Sequence, residues 1–326
     1  MRYNKVYNSR VILVIMHKIG TLLVLLISFN ILIFSAYYLY QNLPGETQEF
    51  RILGRVVDTP MAVNVSNDVS QFYPNMRFNH NDISYYIEEG CNGYKVPNIK
   101  EAFAIIRQET DFILDFHQVY DDKESDILIG CSPDSFEREE NLFIVGEGGP
   151  TRIVNSTLYP IILKGKVLLY NESACEKPIT ELHELLHVFG FDHINDSSKV
   201  MYPYVNCNQD INPNLSEFLK ELYSIEPMAE LYISNISANK SGRYFNFDIL
   251  LKNKGMIDAK DVDLYVYSEE ELLERFELGN IEFGGGKSFY VRNLLLPNRD
   301  TSKIIIKINS RTQEQDDKNN VLELEI

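Results

Sequence analysis

The window from His183 to His193 reads His-Glu-Leu-Leu-His-Val-Phe-Gly-Phe-Asp-His, and it holds half of the chain's 6 histidines. On an α-helix, residues four apart share a face, so His183 and His187 can aim two ring nitrogens at one tetrahedral ion. Glu184 sits beside them and is not needed as a ligand, which leaves it free to take a proton from water at that ion. Gly190 can adopt the left-handed backbone that turns a chain sharply off a helix, and such a turn returns His193 as a third ligand. Zn2+ is the ion this donor set suits.

A second segment follows closely, Ser198-Lys199-Val200-Met201-Tyr202-Pro203. Together the two resemble the metzincin clan of zinc metalloproteases, whose H-E-x-x-H-x-x-G-x-x-H motif precedes a methionine turn. The Met-Tyr-Pro wording and the Asp192-His193 ending look most like the matrixin branch. The close match covers about residues 178–205. The resemblance implies a twisted mixed sheet above a cleft, an active-site helix and a smaller lower subdomain. Carried over by position, His183, His187 and His193 are the zinc ligands, Glu184 the general base and acid, and Met201 the floor beneath the metal. Pro203, Tyr204 and Val205 line the pocket for the side chain after the cut bond. Here the match loosens, because the branch commonly has an aromatic two residues after that proline, where this chain has Val205. Tyr202 directly follows the methionine, so the extra tyrosine ligand of astacin-like relatives is not expected. No P-R-C-G-x-P-D segment precedes the motif, so inhibition by a cysteine switch is not expected either.

The implied reaction is hydrolysis of an internal peptide bond of a protein or peptide substrate, with no covalent intermediate. No G-x-S-x-G or Cys/His signature supports a serine or cysteine nucleophile. Two readings stand beside it. One is a non-catalytic surface adhesion or envelope protein with a structural zinc site, whose motif would typically lack Glu184. The other is an aminopeptidase, which needs a group to bind a free amino terminus; none is legible here.

The elements that must position these residues begin with an anchor. From Ile19 to Tyr40 the chain carries no charge, about 33 Å as helix and enough to cross a bilayer core. Arg2, Lys5, Arg10 and Lys18 precede this run, whereas Glu46, Glu49, Arg51, Arg55 and Asp58 follow it without basic excess, so the amino terminus is expected inside. Bulky Tyr37-Tyr38 after Ala36 disfavours cleavage as a signal peptide, the event that would leave a secreted protein. The expected division is a cytoplasmic tail at 1–18, a transmembrane anchor at 19–40, a polar stalk at 41–58, the metalloprotease domain at 59–226 and an all-β domain at 227–326, with the catalytic part outside the cytoplasm. A net charge of −16 argues against nucleic acid as a partner.

Cys91, Cys131, Cys175 and Cys207 are even in number with no C-x-x-C spacing, which suits disulfides in an oxidising compartment. A Cys175–Cys207 bridge would pin the segment around the zinc motif, but sequence allows three pairings. Sequons at Asn64, Asn155, Asn171, Asn195, Asn214, Asn235 and Asn239 agree with external exposure.

Along the rest of the chain, Pro60–Val65 alternates as a strand does, Asn98–Ile113 has helical spacing, and strands are expected near Asp126–Cys131, Arg152–Ser156 and Ile161–Tyr170. Thr151–Thr157 is the candidate cleft-edge strand for β-addition of a peptide. Gly146, Gly148 and Gly149 are expected in a loop near the cleft. Asp210–Ile225 reads as the last helix of this part, capped by Asn214. Beyond Met228 about seven short alternating strands argue an immunoglobulin-like sandwich. Lys252-Asn253-Lys254-Gly255, the turn at Gly284–Gly286 and the stretch Asp316–Asn320 resemble adhesion-related CARDB-type domains of bacterial and archaeal surface proteins, which implies surface-protein contact or a spacer. Asp316-Asp317 is a candidate for Ca2+, with a solvated turn as the plainer reading. His80 and His117 lack partners at ligand spacing.

Overall fold

A computed structural model describes residues 3–53, 69–91, 93, 95–132, 136–139, 142–156, 159–170 and 175–326. The expected strand at Pro60–Val65 lies outside these. In chain order the elements are α1 (Tyr3–Asn42), β1 (Thr47–Glu49), β2 (Arg51–Leu53), β3 (Arg77–Phe78), β4 (Asp82–Ile87), α2 (Lys95–Glu109), β5 (Asp115–Gln118), β6 (Ile127–Ser132), β7 (Phe136–Glu139), β8 (Leu142–Ile144), β9 (Gly146–Asn155), β10 (Pro160–Tyr170), α3 (Ile179–Val188) and α4 (Pro213–Ser224). Seven further strands follow: β11 (Leu231–Ser241), β12 (Tyr244–Asn253), β13 (Ala259–Ser268), β14 (Glu271–Ile281), β15 (Gly286–Leu295), β16 (Lys303–Asn309) and β17 (Val321–Glu325). Among the described elements strands predominate, with a few helices.

The most apolar part of α1, within Val14–Asn42, is exposed, and only its carboxyl-terminal end meets the rest of the described structure. By length and composition it can cross a bilayer or serve as a signal sequence.

The first folded unit is built on a sheet ordered β3-β10-β6-β4-β5. All these neighbours are parallel, and parallel neighbours require crossovers; α2 supplies the one between β4 and β5. Strand β9 pairs antiparallel with β10 almost end to end, from Pro160↔Asn155 to Leu169↔Gly146. No other described strand pairs with β9, so its second edge is free. Helices α2, α3 and α4 share one core with this sheet, including Ile83, Phe103, Ile129, Val167, Leu186 and Phe218. Arg77, fully buried, donates to Phe78 O (2.8 Å), Leu222 O and Ile225 O (3.0 Å). That places a guanidinium at the carbonyl end of α4, where a helix carries partial negative charge.

Three local expectations change. Helix α2 starts at Lys95 and ends at Glu109, because Thr110 Oγ1 donates back to Ile106 O (2.9 Å) and Asp111 and Phe112 both take positive φ. The cap of α4 is Asn212, not Asn214: Pro213 occupies the first turn, and Asn212 Oδ1 accepts from Asn214 N at 3.0 Å. The glycines expected in a loop belong to strand β9.

The second unit is a pair of antiparallel sheets around one core. Their orders are β1-β11-β12-β15 and β14-β13-β16-β17-β2. Alternation explains the pairing: Phe245, Phe247, Ile249 and Leu251 point inward from β12, and Val262, Leu264 and Val266 from β13. Part of the expected stalk is therefore not free. Residues 47–53 add one short strand to each sheet, by Thr47↔Ser241 and Leu53↔Glu323. A small buried cluster of Tyr159, Ile161 and Met256 joins the two units.

Candidate metal centre

Every residue of α3 is buried, because the helix runs between the sheet, β9 and α2. The fit to β9 depends on missing side chains. A Cβ at Gly146 would stand 2.7 Å from Glu184 Cγ, and one at Gly148 would overlap the Glu184 carbonyl. Glycine at alternate positions thus lets a strand lie directly on a helix backbone. After Val188 the chain leaves through Gly190, at φ +88°, where a Cβ would also meet the Met76 sulfur at 2.6 Å. That turn carries His193 back over the helix.

The result is three Nε2 atoms at one point: 3.0 Å between His183 and His187, and 3.2 Å from each to His193. The other ring nitrogens decide what these atoms are. His183 Nδ1 donates to Val200 O at 2.6 Å and His187 Nδ1 to Phe191 O at 2.7 Å. A carbonyl only accepts, so Nδ1 carries the proton in both rings and each Nε2 presents a lone pair. Burial pushes the His183 imidazolium down to about 4 and lowers that of His187, so neither ring supplies a bridging proton at neutral pH. Lone pairs facing each other at 3.0 Å repel unless a cation lies among them. Four ligands held at 2.0–2.1 Å in a tetrahedron stand about 3.3 Å apart, close to the spacing seen. Among the described residues, His183, His187 and His193 form the one group of side chains that can hold a metal ion.

Glu184 lies one residue beyond His183, with its carboxyl against Gly146. Burial raises it to about 8, and the charge of Glu147 adds to the effect. Met201 is buried in the core below, and its carbonyl accepts from Ile194 N at 3.0 Å. The residue before it, Val200, fixes the His183 tautomer. The segment around Met201 is therefore tied to the site through its backbone.

Pro203 and Tyr204 are exposed, and Val205 packs half-buried against the core. The cysteines pair as Cys91–Cys131 and Cys175–Cys207; the second bridge encloses α3 and the whole 183–205 segment. Asp316 and Asp317 are not drawn into a metal-capable group. Asp316 Oδ1 accepts from Lys318 N at 2.9 Å, as in a self-capped turn. His80 and His117 lie apart from the three-histidine cluster, against Asp126 (3.6 Å) and Asp82 (2.7 Å).

Two positioning residues were not foreseen. Gln209, fully buried, donates to Tyr204 O (2.9 Å) and accepts from Asn206 N (3.1 Å), closing the loop that follows Met201. In sequence it is one polar residue in a polar tract. Phe72 stacks on the His187 ring with centroids 5.8 Å apart, and Phe72 N donates to Gly190 O at 2.8 Å. No local pattern links it to residues more than a hundred positions away.

No family model matches the chain, and no curated protein matches it. Among solved structures, the chain is similar to the CARDB domain of a Pyrococcus furiosus protein, crystallised in complex with di-metal ions. Identity is 15%, the match covers 30% of this chain and 86% of that one, and the TM-score is 0.25.

Proposed function

We propose that this chain is a membrane-anchored zinc endopeptidase of metzincin, matrixin-like type, acting outside the cytoplasm. The observation that carries the reading is the convergence of three Nε2 atoms within 3.2 Å, two of which, in His183 and His187, are left as lone-pair donors to a metal by their Nδ1 bonds to carbonyls. Support also comes from Glu184 beside them, from the buried Met201, and from an antiparallel strand with a free edge along the active helix. Disulfides near the site suit an oxidising compartment, and α1 suits an anchor.

His183, His187 and His193 would hold the ion. Zinc bound there supplies Lewis acidity, lowering the pKa of a water and polarising a carbonyl. The chain's own work is then positional and protonic. The free edge of β9 offers backbone groups on which an extended peptide lies as an added strand. Glu184, whose ionised form a dication held by the three histidines would favour, then accepts a proton from the attacking water on its carboxylate and returns it to the departing amine. Gly146 and Gly148 keep the strand close enough for substrate and acid to share one space, and the packing of β9 on α3 excludes bulk water from behind Glu184.

The test uses the full chain in detergent micelles, with bound metal assayed alongside cleavage of a mixed library of end-blocked peptides. About one zinc per chain is expected, with internal cleavage. Glu184→Gln should keep the metal and lose about 10²–10⁴-fold in rate. A metal-free protein, or a Glu184→Gln variant cutting at the parent rate, would refute the reading.

A further inference from the structure

The height of the metal centre above the membrane follows from what each end of the sandwich touches. At one end the sandwich grips the exit of α1. Arg299 Nη1 donates to Leu43 O at 2.6 Å and to Tyr40 O, its guanidinium lies 4.6 Å from the Tyr40 ring centroid, and Tyr244 OH donates to Asn42 O at 2.8 Å. These groups satisfy carbonyls that a helix end leaves open. The chain then enters the sandwich at once through β1 and β2, one strand to each sheet, so the hold does not depend on a single flexible joint.

At the opposite end the same strands meet the metal-bearing unit. Strand β12 leaves the membrane end at Tyr244 and finishes at Asn253; just beyond it, Lys254 O accepts from Ser156 Oγ and Met256 O accepts from Asn79 Nδ2 at 3.2 Å. The Met256 side chain is enclosed with Tyr159 and Ile161, and Gly284 comes so close to Val154 that a Cβ there would overlap it. Strand β12 has 10 residues, which at about 3.3 Å each separates the two ends by about 30 Å.

We infer that β12 stands along the membrane normal and that the enzyme acts on other proteins anchored in the same membrane, cutting an extended segment about 30 Å above the bilayer and sparing bonds nearer to it. The inference rests on the peptidase reading above, with α1 retained as a span. A site on a stiff support meets freely diffusing proteins only at their bulk concentration. A neighbour anchored alongside presents the same segment at the same height, and confinement to a thin layer above the bilayer raises its local concentration above the bulk value. A tether too short to reach contributes almost nothing. Reaching the site takes about nine extended residues.

The experiment places the full chain, zinc-loaded, in phospholipid vesicles with single-span reporter proteins. Each reporter carries one sequence that the enzyme cuts as a free peptide, set about four or about fifteen residues from its span. The distal reporter should be cut at least ten times faster than the proximal one, and faster than the free peptide at equal bulk concentration. Inserting about twelve Gly/Ser residues between Leu43 and Pro44 frees the support to tilt; it should bring the proximal reporter into range while leaving the free-peptide rate unchanged, which also shows that the variant folds. Equal rates at the two heights, anchored reporters cut no faster than free peptide, or an insert that leaves the proximal reporter uncut would each overturn the inference. A zinc-loaded protein that cuts no peptide at all would instead remove the peptidase reading, and this inference with it.

Discussion

Three imidazoles and a carboxyl make a working site only if the backbone around them is thin enough, and the glycines of β9 supply that thinness. Gly148 and Gly149 are neighbours in one strand with opposite surroundings: a Cβ on Gly148 overlaps the Glu184 carbonyl, whereas one on Gly149 meets nothing within 4 Å. Gly148→Ala should therefore push β9 off α3, costing about 1–3 kcal/mol as overpacking does, and peptide cleavage should fall with it. Gly149→Ala should be neutral or stabilising by under about 1 kcal/mol, since alanine lowers the freedom of the unfolded chain. Denaturant midpoints of the two variants give the answer, and equal losses would remove the close approach from the account. The three-histidine cluster was legible because its spacing is a property of one helix and one turn. The roles of Gly148, Gln209 and Phe72 were not, because each depends on a contact between segments distant in sequence.

Helix α3 and the methionine turn act as one element because Cys175–Cys207 closes them into a loop of sequence separation 32. On the chain-entropy account, such a closure stabilises by about 3–4 kcal/mol. Replacing both cysteines by serine should lower the melting temperature and weaken metal binding together, since the same loop holds Val200 against His183; a variant that loses stability but keeps its zinc affinity would separate the two. Strand starts carry a second, pH-dependent contribution. The Asp126 carboxylate, 3.6 Å from Nε2, holds the His80 pKa above its ordinary 6.5 despite burial. A raised pKa stabilises the fold fully below the unfolded value, and the benefit fades as pH rises through the folded one. The stability advantage of the parent over His80→Gln should thus be larger at about pH 5.5 than at about pH 8, measured by urea midpoints; an advantage independent of pH would mean that the ring acts only through packing. Asp126 itself is pushed up by burial, but the nearby His80 ring and hydrogen bonds from Ser84 more than offset this and hold it below 3.8, so its own titration falls outside that window. Period-two alternation made the strands after Met228 readable. It could not show which strands lie side by side, and β9 was read short at its amino-terminal end because Gly146, Gly148 and Gly149 carry no apolar signal.

Whole-molecule order depends on pairings that no local window contains. Thr47 pairs with Ser241 and Leu53 with Glu323, so a stretch whose composition reads as a polar stalk closes both sheets of a sandwich whose other strands come from the far end of the chain. A shorter but still long separation, 97 and 95 positions, divides Tyr159 and Ile161 from Met256. Because that cluster is buried and is flanked by the bonds from Asn79 and Ser156, the three-histidine unit and the sandwich should unfold together. Met256→Ala tests the coupling. Truncating a buried methionine costs about 2–5 kcal/mol, and here the loss falls on the junction and leaves the core of each unit intact. Calorimetry of the full chain in detergent should show one transition for the parent and two for the variant, with the disulfide-bearing unit identified by the transition that added zinc raises. Two transitions already present in the parent would mean that the units are joined without energetic coupling. The sandwich would then hold the metal centre only loosely, and the fixed height inferred for cleavage would lose its support.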